Sequence, residues 1–342
     1  MQTAQLGSSS GLMVSRLCLG TMNFGIPGRG HQGDWTLDLD AARPVFELAR
    51  DLGVNYFDCA NIYGIGASEE VVGQLLRETF RRDEYVLTTK VSMPMGKAAN
   101  QGGLSRKHII ESVNASLDRL GLDYVDQLII HRHPHGIPGQ AQVPIEETLE
   151  ALNDIVKAGK TIYLGASSMF AWQFAELQLT AQRHGWTQFI SMQNHLNLIY
   201  REEEREMLPY CNQSGVGVTP WSPLARGILT GAYRGSLQSG STNRSKGADR
   251  LRTASLYRGE MDFQIAERCA EIAEQHNASS AQVALAWLLQ KPGVVAPVVG
   301  VSTAQQLSEL AAAVDLKLSQ ADIEYLEALY QCVDNLLSLG AS

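Results

Sequence analysis

Four titratable side chains stand at or just beyond the ends of short apolar runs, where they could take part in proton transfer. Asp58 and Lys90 each end one run, Tyr63 lies five residues after Asp58, and His131 ends a third run. A carboxylate, an ammonium, a phenol and an imidazole that meet in one pocket can move protons to and from a bound molecule. Each also has an ordinary structural use when it stands alone, so the fold must bring them together.

The elements that would position these side chains are eight apolar runs that alternate with helical patterns. Their nearly continuous apolar character is typical of parallel strands buried on both faces. The candidate strands are Arg16–Gly20, Asn55–Asp58, Tyr85–Val91, Tyr124–His131, Thr161–Ala166, Phe189–Gln193, Gly217–Trp221 and Val294–Gly300. Eight strands, each followed by a helix, predict an α/β fold of the closed (β/α)8 TIM-barrel type, with a doubly wound open sheet as the alternative. Neighbouring strands of a barrel end at one rim, so the four side chains would converge at its C-terminal face.

Sequence signals at helix ends agree with this plan and indicate one domain over residues 1–342. Helix starts are predicted at Ser68, Ser105, Pro144 and Ser319. The first dozen residues, with two glycines around a serine run, predict a hairpin that closes the barrel bottom, and extra helices are expected near the C-terminus. The Gly-, Ser- and Arg-rich stretch 231–252 predicts a flexible loop over the barrel mouth.

The composition is typical of a folded protein from a reducing compartment. Of 342 residues, 44% are hydrophobic and 19% charged, which is enough for a sizeable core. The formal net charge of −8, without a basic block, predicts no binding to nucleic acid. No apolar run reaches the length of a membrane helix, so no membrane association is predicted. Five scattered cysteines without a C-x-x-C pair, and an N-terminus unlike a secretory signal, predict a cytoplasmic protein.

Two motifs suggest other sites but lack the context those sites need. Gly28–Gly33 matches G-x-G-x-x-G, yet a dinucleotide-binding turn must lead directly from a strand into a helix, and here the strand ends near Gly20. The alternating histidines of His131–His135 are not accompanied by a carboxylate or a third-ligand pattern. No metal site is therefore predicted.

Several separated motifs together resemble the aldo-keto reductase family over nearly the whole chain. They are Gly53-Val-Asn-Tyr-Phe-Asp58-Cys-Ala-Asn-Ile-Tyr63-Gly64, Ser68-Glu-Glu-Val-Val-Gly73, Thr88-Thr-Lys90-Val91, Asp126-Gln-Leu-Ile-Ile-His131-Arg132, Gly159-Lys-Thr-Ile-Tyr-Leu-Gly165-Ala-Ser167-Ser168 and Trp221-Ser222-Pro223-Leu224. The resemblance implies reduction of aldehyde or ketone carbonyls by hydride transfer from NAD(P)H, with a small-molecule carbonyl compound as substrate. It implies a catalytic tetrad of Asp58, Tyr63, Lys90 and His131.

Elementary chemistry fits the roles that the resemblance implies. A free phenol has a pKa near 10, too high for ready proton transfer at pH 7. The ammonium of Lys90 would favour the phenolate of Tyr63 and lower its pKa, and Asp58 would balance the buried positive charge. His131 would hydrogen-bond and polarise the carbonyl oxygen.

The resemblance also implies contacts along a bound cofactor and around the substrate. The cofactor-binding positions are Gly20, Thr21, Met22, Asp58, Ser167, Ser168, Gln193, Trp221, Ser222, Pro223, Leu224, Arg226, Gly227, Gly300, Ser302, Thr303, Gln306 and Leu310. The substrate contacts are Phe24, Trp35, Tyr63 and His131. Ser302 and Thr303, at a helix start, can hydrogen-bond a 2′-phosphate, so NADP(H) is the preferred cofactor. Because the basic residues that the family commonly carries after Gly300 are absent, NAD(H) is also a possible one.

Two other functions remain open at this point, and the oligomeric state is not predicted. The same family includes potassium-channel β-subunits, which turn over slightly and act as redox-sensing or binding modules. A Schiff-base aldolase on the same barrel would use Lys90 as its nucleophile, but it leaves Ser167, Gln193 and Trp221 without a use.

Overall fold

Eight short parallel strands form the centre of the molecule in the computed structural model, which describes residues 1–30, 32–33, 35–136, 142–233, 249–257 and 259–330. Side chains of residues 249–252 are not described. An N-terminal hairpin comes first, with β1 at Thr3–Gln5 and β2 at Met13–Ser15. The strands of the parallel sheet are β3 Cys18–Gly20, β4 Tyr56–Asp58, β5 Val86–Val91, β6 Val125–Ile130, β7 Thr161–Ser167, β8 Phe189–Gln193, β9 Gly217–Val218 and β10 Val298–Val299.

The sheet closes on itself, which confirms the predicted barrel and its parallel order. The strands pair in the sequence β10-β3-β4-β5-β6-β7-β8-β9. Bridges from Val218 to Val294 and from Trp221 to Val298 join the two ends of that series. Strands β9 and β10 are shorter than predicted because Pro220 and Pro297 have no N–H to donate to a ladder.

Helices follow the strands and cover the outside of the barrel. Their bounds are α1 Leu39–Asp51, α2 Ala67–Thr79, α3 Arg106–Leu120, α4 Ile145–Lys157, α5 Ala171–His184, α6 Met207–Ser214, α7 Asp249–Leu256, α8 Glu260–Gln275, α9 Ser280–Leu289, α10 Ala304–Ala311 and α11 Gln320–Glu327. Short 3₁₀ turns cover Arg82–Glu84, Glu202–Glu204, Ala225–Thr230 and Ala312–Val314.

Most of the predicted helix starts are correct, and one is wrong. Ser105 and Ser319 each accept a backbone N–H of the first helical turn, and Pro144 directly precedes α4. Ser68 does not cap α2, which begins one residue earlier, after Gly66 in a left-handed conformation at φ 88°. The hydroxyl of Ser68 is buried and donates instead to the carbonyl of Thr21, 2.9 Å away, so it ties α2 to the end of β3.

The N-terminal hairpin lies at the N-terminal end of the barrel strands, as predicted. Leu6, in the hairpin turn, packs in a buried cluster with Cys18, Tyr56 and Ile190, which stand at or near the starts of their strands. The rim that carries the candidate site is therefore the opposite one. Most of the predicted loop 231–252 lies outside the described residues, and its last four residues belong to α7. That residues 1–342 form one domain stays a prediction.

Gly73 marks a close contact between α2 and α3 and gives a stability prediction. A Cβ at this position would lie 2.6 Å from Leu120 Cα and 2.7 Å from its carbonyl carbon. Gly73→Ala should therefore destabilise the fold by about 1–3 kcal/mol, the cost of overpacking, although alanine is otherwise about 1 kcal/mol better in a helix. Urea unfolding measures this. Gly11→Ala, which meets open space, is the control and should leave stability unchanged; an equal or higher midpoint for Gly73→Ala would contradict the close contact.

Candidate active site

A buried ion pair between Lys90 and Asp58 forms the base of the site. Lys90 lies on β5 and is fully buried, and its Nζ donates to Asp58 Oδ2 at 2.6 Å and to the carbonyl of Cys59 at 2.8 Å. Asp58 Oδ1 accepts from Thr88 Oγ1 and from Gln193 Nε2, each at 2.9 Å. Burial opposes the charge on Lys90, but the attraction of Asp58 and Tyr63 outweighs it and raises the pKa of the amine. The ammonium is thus held charged inside the barrel.

Tyr63 is the next group along, and its hydroxyl lies 3.3 Å from Lys90 Nζ. The tyrosine sits in the turn between β4 and α2, where its N–H donates to the carbonyl of Ala60. Burial raises the pKa of the phenol, and Lys90 offsets only part of that rise. The predicted lowering by Lys90 is present as one contribution, but the net pKa of Tyr63 lies above its ordinary value.

His131 stands beside Tyr63 directly after β6. The two rings are edge to face, with centroids 6.2 Å apart and planes at 80°. The backbone N–H of His131 donates to the carbonyl of Val91 at 2.9 Å, which fixes the residue against the end of β5. The four residues predicted to form the tetrad therefore occupy one region of the C-terminal rim.

A cavity of about 1,270 Å³ opens over this rim, larger than the roughly 300–1,000 Å³ usual for a small ligand. Of the residues predicted to form the site, those that line it are Gly20, Thr21, Met22, Trp35, Asp58, Tyr63, His131, Ser167, Gln193, Trp221, Ser222, Pro223, Leu224, Arg226, Gly227, Gly300, Ser302, Thr303, Gln306 and Leu310. Lys90 does not line the cavity, but its Nζ contacts Tyr63, which does. A fully buried, ion-paired ammonium is a poor Schiff-base nucleophile, because that chemistry needs a neutral, accessible amine.

Polar groups at the ends of β7 and β8 surround Trp221. Trp221 Nε1 donates to Ser168 Oγ at 2.9 Å. Ser167 Oγ donates to the carbonyl of Gln193, also at 2.9 Å, and lies 3.2 Å from Ser168 Oγ. Ser168, which the resemblance implied as a cofactor contact, does not line the cavity. Its hydroxyl instead accepts the indole N–H and so holds Trp221 in place. Donors and acceptors beside an aromatic ring suit a carboxamide-bearing heterocycle such as nicotinamide.

The turn after Trp221 has backbone geometry that suits an anion. Ala225, Arg226 and Gly227 follow one another at φ 48°, 56° and 100°. Left-handed conformations cost energy for residues with a side chain, and clusters of them mark ligand-binding turns. Arg226 lines the cavity at the same place. A pyrophosphate would find oriented backbone groups and a cation there, so the residues present fit the cofactor that the sequence implies.

The far end of the cavity lies at the start of α10. Thr303 caps this helix by accepting the N–H of Gln306, and Gln306 Oε1 accepts the N–H of Ser302 at 2.7 Å. Hydroxyls at a helix N-terminus favour an anionic group. Glu309, which the sequence interpretation omitted, also lines this end.

The structure corrects one predicted substrate contact. Phe24 does not line the cavity, because the turn from Thr21 carries its ring into the layer between the barrel and α1. There it is fully buried and packs edge to face against Phe46, with centroids 5.5 Å apart. Sequence reasoning missed other lining residues, among them Asn23, Met93 and Arg132. All three follow strand ends closely, which is the signal that would have found them.

The described residues include no group of three or more His, Cys, Asp or Glu arranged to hold a metal ion. His133 Nδ1 accepts the backbone N–H of His135 within the loop after β6. Among the helices that the structure describes, none has the length and apolar character needed to cross a membrane.

Comparison with known proteins agrees with this geometry. A model of the aldo/keto reductase family matches residues 16–331. A Schizosaccharomyces pombe protein provisionally named an aryl-alcohol dehydrogenase is 44% identical over 94% of each chain. Versiconal hemiacetal acetate reductase of Aspergillus parasiticus is 42% identical over 96% of this chain and 97% of its own. An aldo-keto reductase of Alternaria alternata is 40% identical over 94% and 90%.

A parallel barrel with an ion-paired lysine beside a phenol, under a cavity of about 1,270 Å³, fits an oxidoreductase. The chain belongs to the aldo/keto reductase family, whose reaction is the NAD(P)H-dependent reduction of carbonyl groups.

Proposed function

We propose that this protein reduces aldehydes and ketones to alcohols with NADP(H) in preference to NAD(H), and that Tyr63 donates the proton. The observation that carries the proposal is the continuous chain Asp58–Lys90–Tyr63, in which a buried ion pair lies against a phenol on the cavity wall. When bound, the reduced nicotinamide supplies the hydride.

The protein's own groups then have separate tasks. Asp58 keeps Lys90 charged, and Lys90 stabilises the phenolate that Tyr63 becomes after giving up its proton. His131, edge-on to Tyr63, hydrogen-bonds the carbonyl oxygen and aligns it with the phenol. The ordinary uncharged state of Tyr63 is the one that a proton donor needs, and burial maintains it.

The substrate end of the cavity favours aromatic or otherwise hydrophobic carbonyl compounds. Its lining includes Met22, Trp35 and Met93 beside Tyr63, and such thioether and aromatic surfaces contact apolar rings well. One relative is named for aryl alcohols and another for a hemiacetal acetate. Aryl aldehydes are therefore the first compounds to test. We also propose that the protein is cytoplasmic.

A cofactor-oxidation assay at 340 nm over a panel of aryl and aliphatic carbonyls tests the function. NADPH consumption that depends on the carbonyl compound is the expected result. Tight cofactor binding with negligible turnover across the panel would contradict catalysis and favour the redox-sensing module of the channel β-subunit type.

The cofactor preference gives a separate prediction. Ser302 and Thr303 offer hydroxyls to a 2′-phosphate, but residues 301–310 contain no lysine or arginine. We expect kcat/KM for NADPH to exceed that for NADH by about tenfold, the value of one or two neutral hydrogen bonds. Ser302→Ala should reduce that ratio.

Ser308→Ala is the matched control, because Ser308 is exposed on α10, which begins two residues after Ser302, and does not line the cavity. Steady-state kinetics with both cofactors measures the ratio for each variant. Equal efficiencies for NADPH and NADH in the unsubstituted protein would contradict the preference.

A further inference from the structure

Trp221 is backed by a stack of two further rings outside the cavity. The imidazole of His195 lies parallel to the indole, with centroids 4.2 Å apart and planes at 11°. Tyr200 covers the other face of that imidazole at 4.1 Å and 14°. Trp221 lines the cavity, whereas His195 and Tyr200 do not. One face of the indole thus packs against His195, and of the three stacked rings Trp221 is the one that lines the cavity.

The hydroxyl of Tyr257 holds this stack from a distant part of the chain. It lies 2.7 Å from His195 Nε2. Asn197 Nδ2 donates to the same hydroxyl oxygen at 3.0 Å and to the carbonyl of Ser222 at 2.9 Å. We assign the hydroxyl as the donor to His195 Nε2, with the neutral imidazole carrying its proton on Nδ1. Burial, with a smaller effect from Arg226, lowers the pKa of His195 to about 3, so the imidazole stays neutral near pH 7.

The same short segment also reaches the predicted pyrophosphate turn. Thr253, on α7 and buried, lies with its Oγ1 3.1 Å from Arg226 Nε, which donates to it. Tyr257 follows one helical turn later and is also buried. The segment 253–257 therefore touches both the backing of Trp221 and the side chain of Arg226. It directly follows the stretch 231–252 that the sequence predicts to form a flexible loop.

We propose that Tyr257 is a positioning residue for cofactor binding: its hydroxyl orients His195, and His195 presents Trp221 to the nicotinamide. The inference rests on the proposed function and takes Trp221, which lines the cavity, as the ring on which the nicotinamide stacks. Thr253 adds a second connection, so that segment 253–257 supports both the stacking ring and the Arg226 guanidinium. Affinity for the cofactor then depends on a side chain that does not itself line the cavity.

A double-mutant cycle tests whether Tyr257 acts through Trp221. NADPH binding, followed by nicotinamide fluorescence, is measured for the native protein, Tyr257→Phe, Trp221→Ala and the double variant. Tyr257→Phe keeps the ring and removes one hydrogen bond, so we expect Kd to rise about fivefold in the native background. In the Trp221→Ala background the same change should alter Kd by less than about twofold, because coupling through a removed partner is lost.

Controls separate positioning from a general structural effect. Tyr325→Phe removes a hydroxyl that donates to Glu271 on the outer helices, and it should leave Kd unchanged. His195→Phe keeps a ring against Trp221 but removes the acceptor, so it should reproduce the loss seen with Tyr257→Phe. In turnover, Tyr257→Phe should raise KM for NADPH and leave kcat at saturating cofactor unchanged.

The outcomes distinguish this inference from the proposed function. An equal rise in Kd in both backgrounds, or no rise in the native background, would overturn the positioning role. NADPH binding without carbonyl reduction would overturn the proposed function while leaving the positioning role to be decided by the cycle. Failure of the native protein to bind NADPH or NADH would overturn both.

Discussion

Tyr63→Phe should lower kcat for carbonyl reduction by about 10²–10⁴-fold, the usual contribution of a positioned general acid. The phenylalanine ring fills the same space in the turn after β4, so only the hydroxyl is lost. Lys90 keeps its bonds to Asp58 and to the carbonyl of Cys59, and the ion pair therefore survives. Single-turnover reduction with NADPH measures the chemical step directly.

Cofactor binding provides the internal check on that result. The Kd for NADPH should stay within about twofold of the native value, because a donor to the substrate oxygen acts mainly in the transition state. Tyr163→Phe, on β7 at the opposite end of the barrel, is the matched control and should keep full activity. Turnover by Tyr63→Phe at the native rate would exclude the phenol as proton donor.

The sequence predicted the barrel well because parallel strands leave a simple signal. Strands buried on both faces are apolar throughout, and β5, β6 and β8 lie within a residue or two of their predicted bounds. The ends of the weaker strands could not be predicted in the same way. Where Pro220 and Pro297 interrupt the ladder, isolated bridges close the barrel instead of regular pairing.

The convergence of Asp58, Tyr63, Lys90 and His131 could be predicted because strand register fixes which side chains share a rim. The predicted substrate contact at Phe24 was wrong for a related reason, because strand register does not fix the direction of a loop side chain. An apolar ring gains more free energy from burial in the layer between the barrel and α1 than from lining an open cavity. The net direction of the pKa shift of Tyr63 could not be predicted from the sequence either. The identity of its neighbour Lys90 gives one contribution, but the larger one, burial, depends on how closely the whole rim packs.

The backing of Trp221 left no local signal at all. His195 and Tyr257 are 62 residues apart and meet only through tertiary packing. Nothing in the spacing of either residue distinguishes it from an ordinary core aromatic, and a neutral buried histidine is usually structural. Contacts of this kind can be found only once the fold is known.

Lys90→Met should lower kcat for reduction by about 100-fold and shift the rate–pH profile to higher pH. Lys90 lowers the pKa of Tyr63 against the effect of burial, so its removal raises that pKa further. In alcohol oxidation Tyr63 must be the phenolate, and the rate rises as pH passes its pKa; the rising limb should therefore shift to higher pH in the variant. Rate–pH profiles in both directions measure the shift.

The ion pair complicates this substitution and dictates its control. Removing Lys90 leaves Asp58 buried without its counter-charge, which costs about 3–5 kcal/mol of stability. The double change Lys90→Met with Asp58→Asn removes both charges, keeps an amide beside Thr88 and Gln193, and should regain most of that stability. The double variant still lacks the ammonium beside Tyr63. Its rate of carbonyl reduction should therefore stay low, and the rising limb of alcohol oxidation should stay at the higher pH. A folded double variant with the native pH profile would show that Lys90 does not activate the phenol.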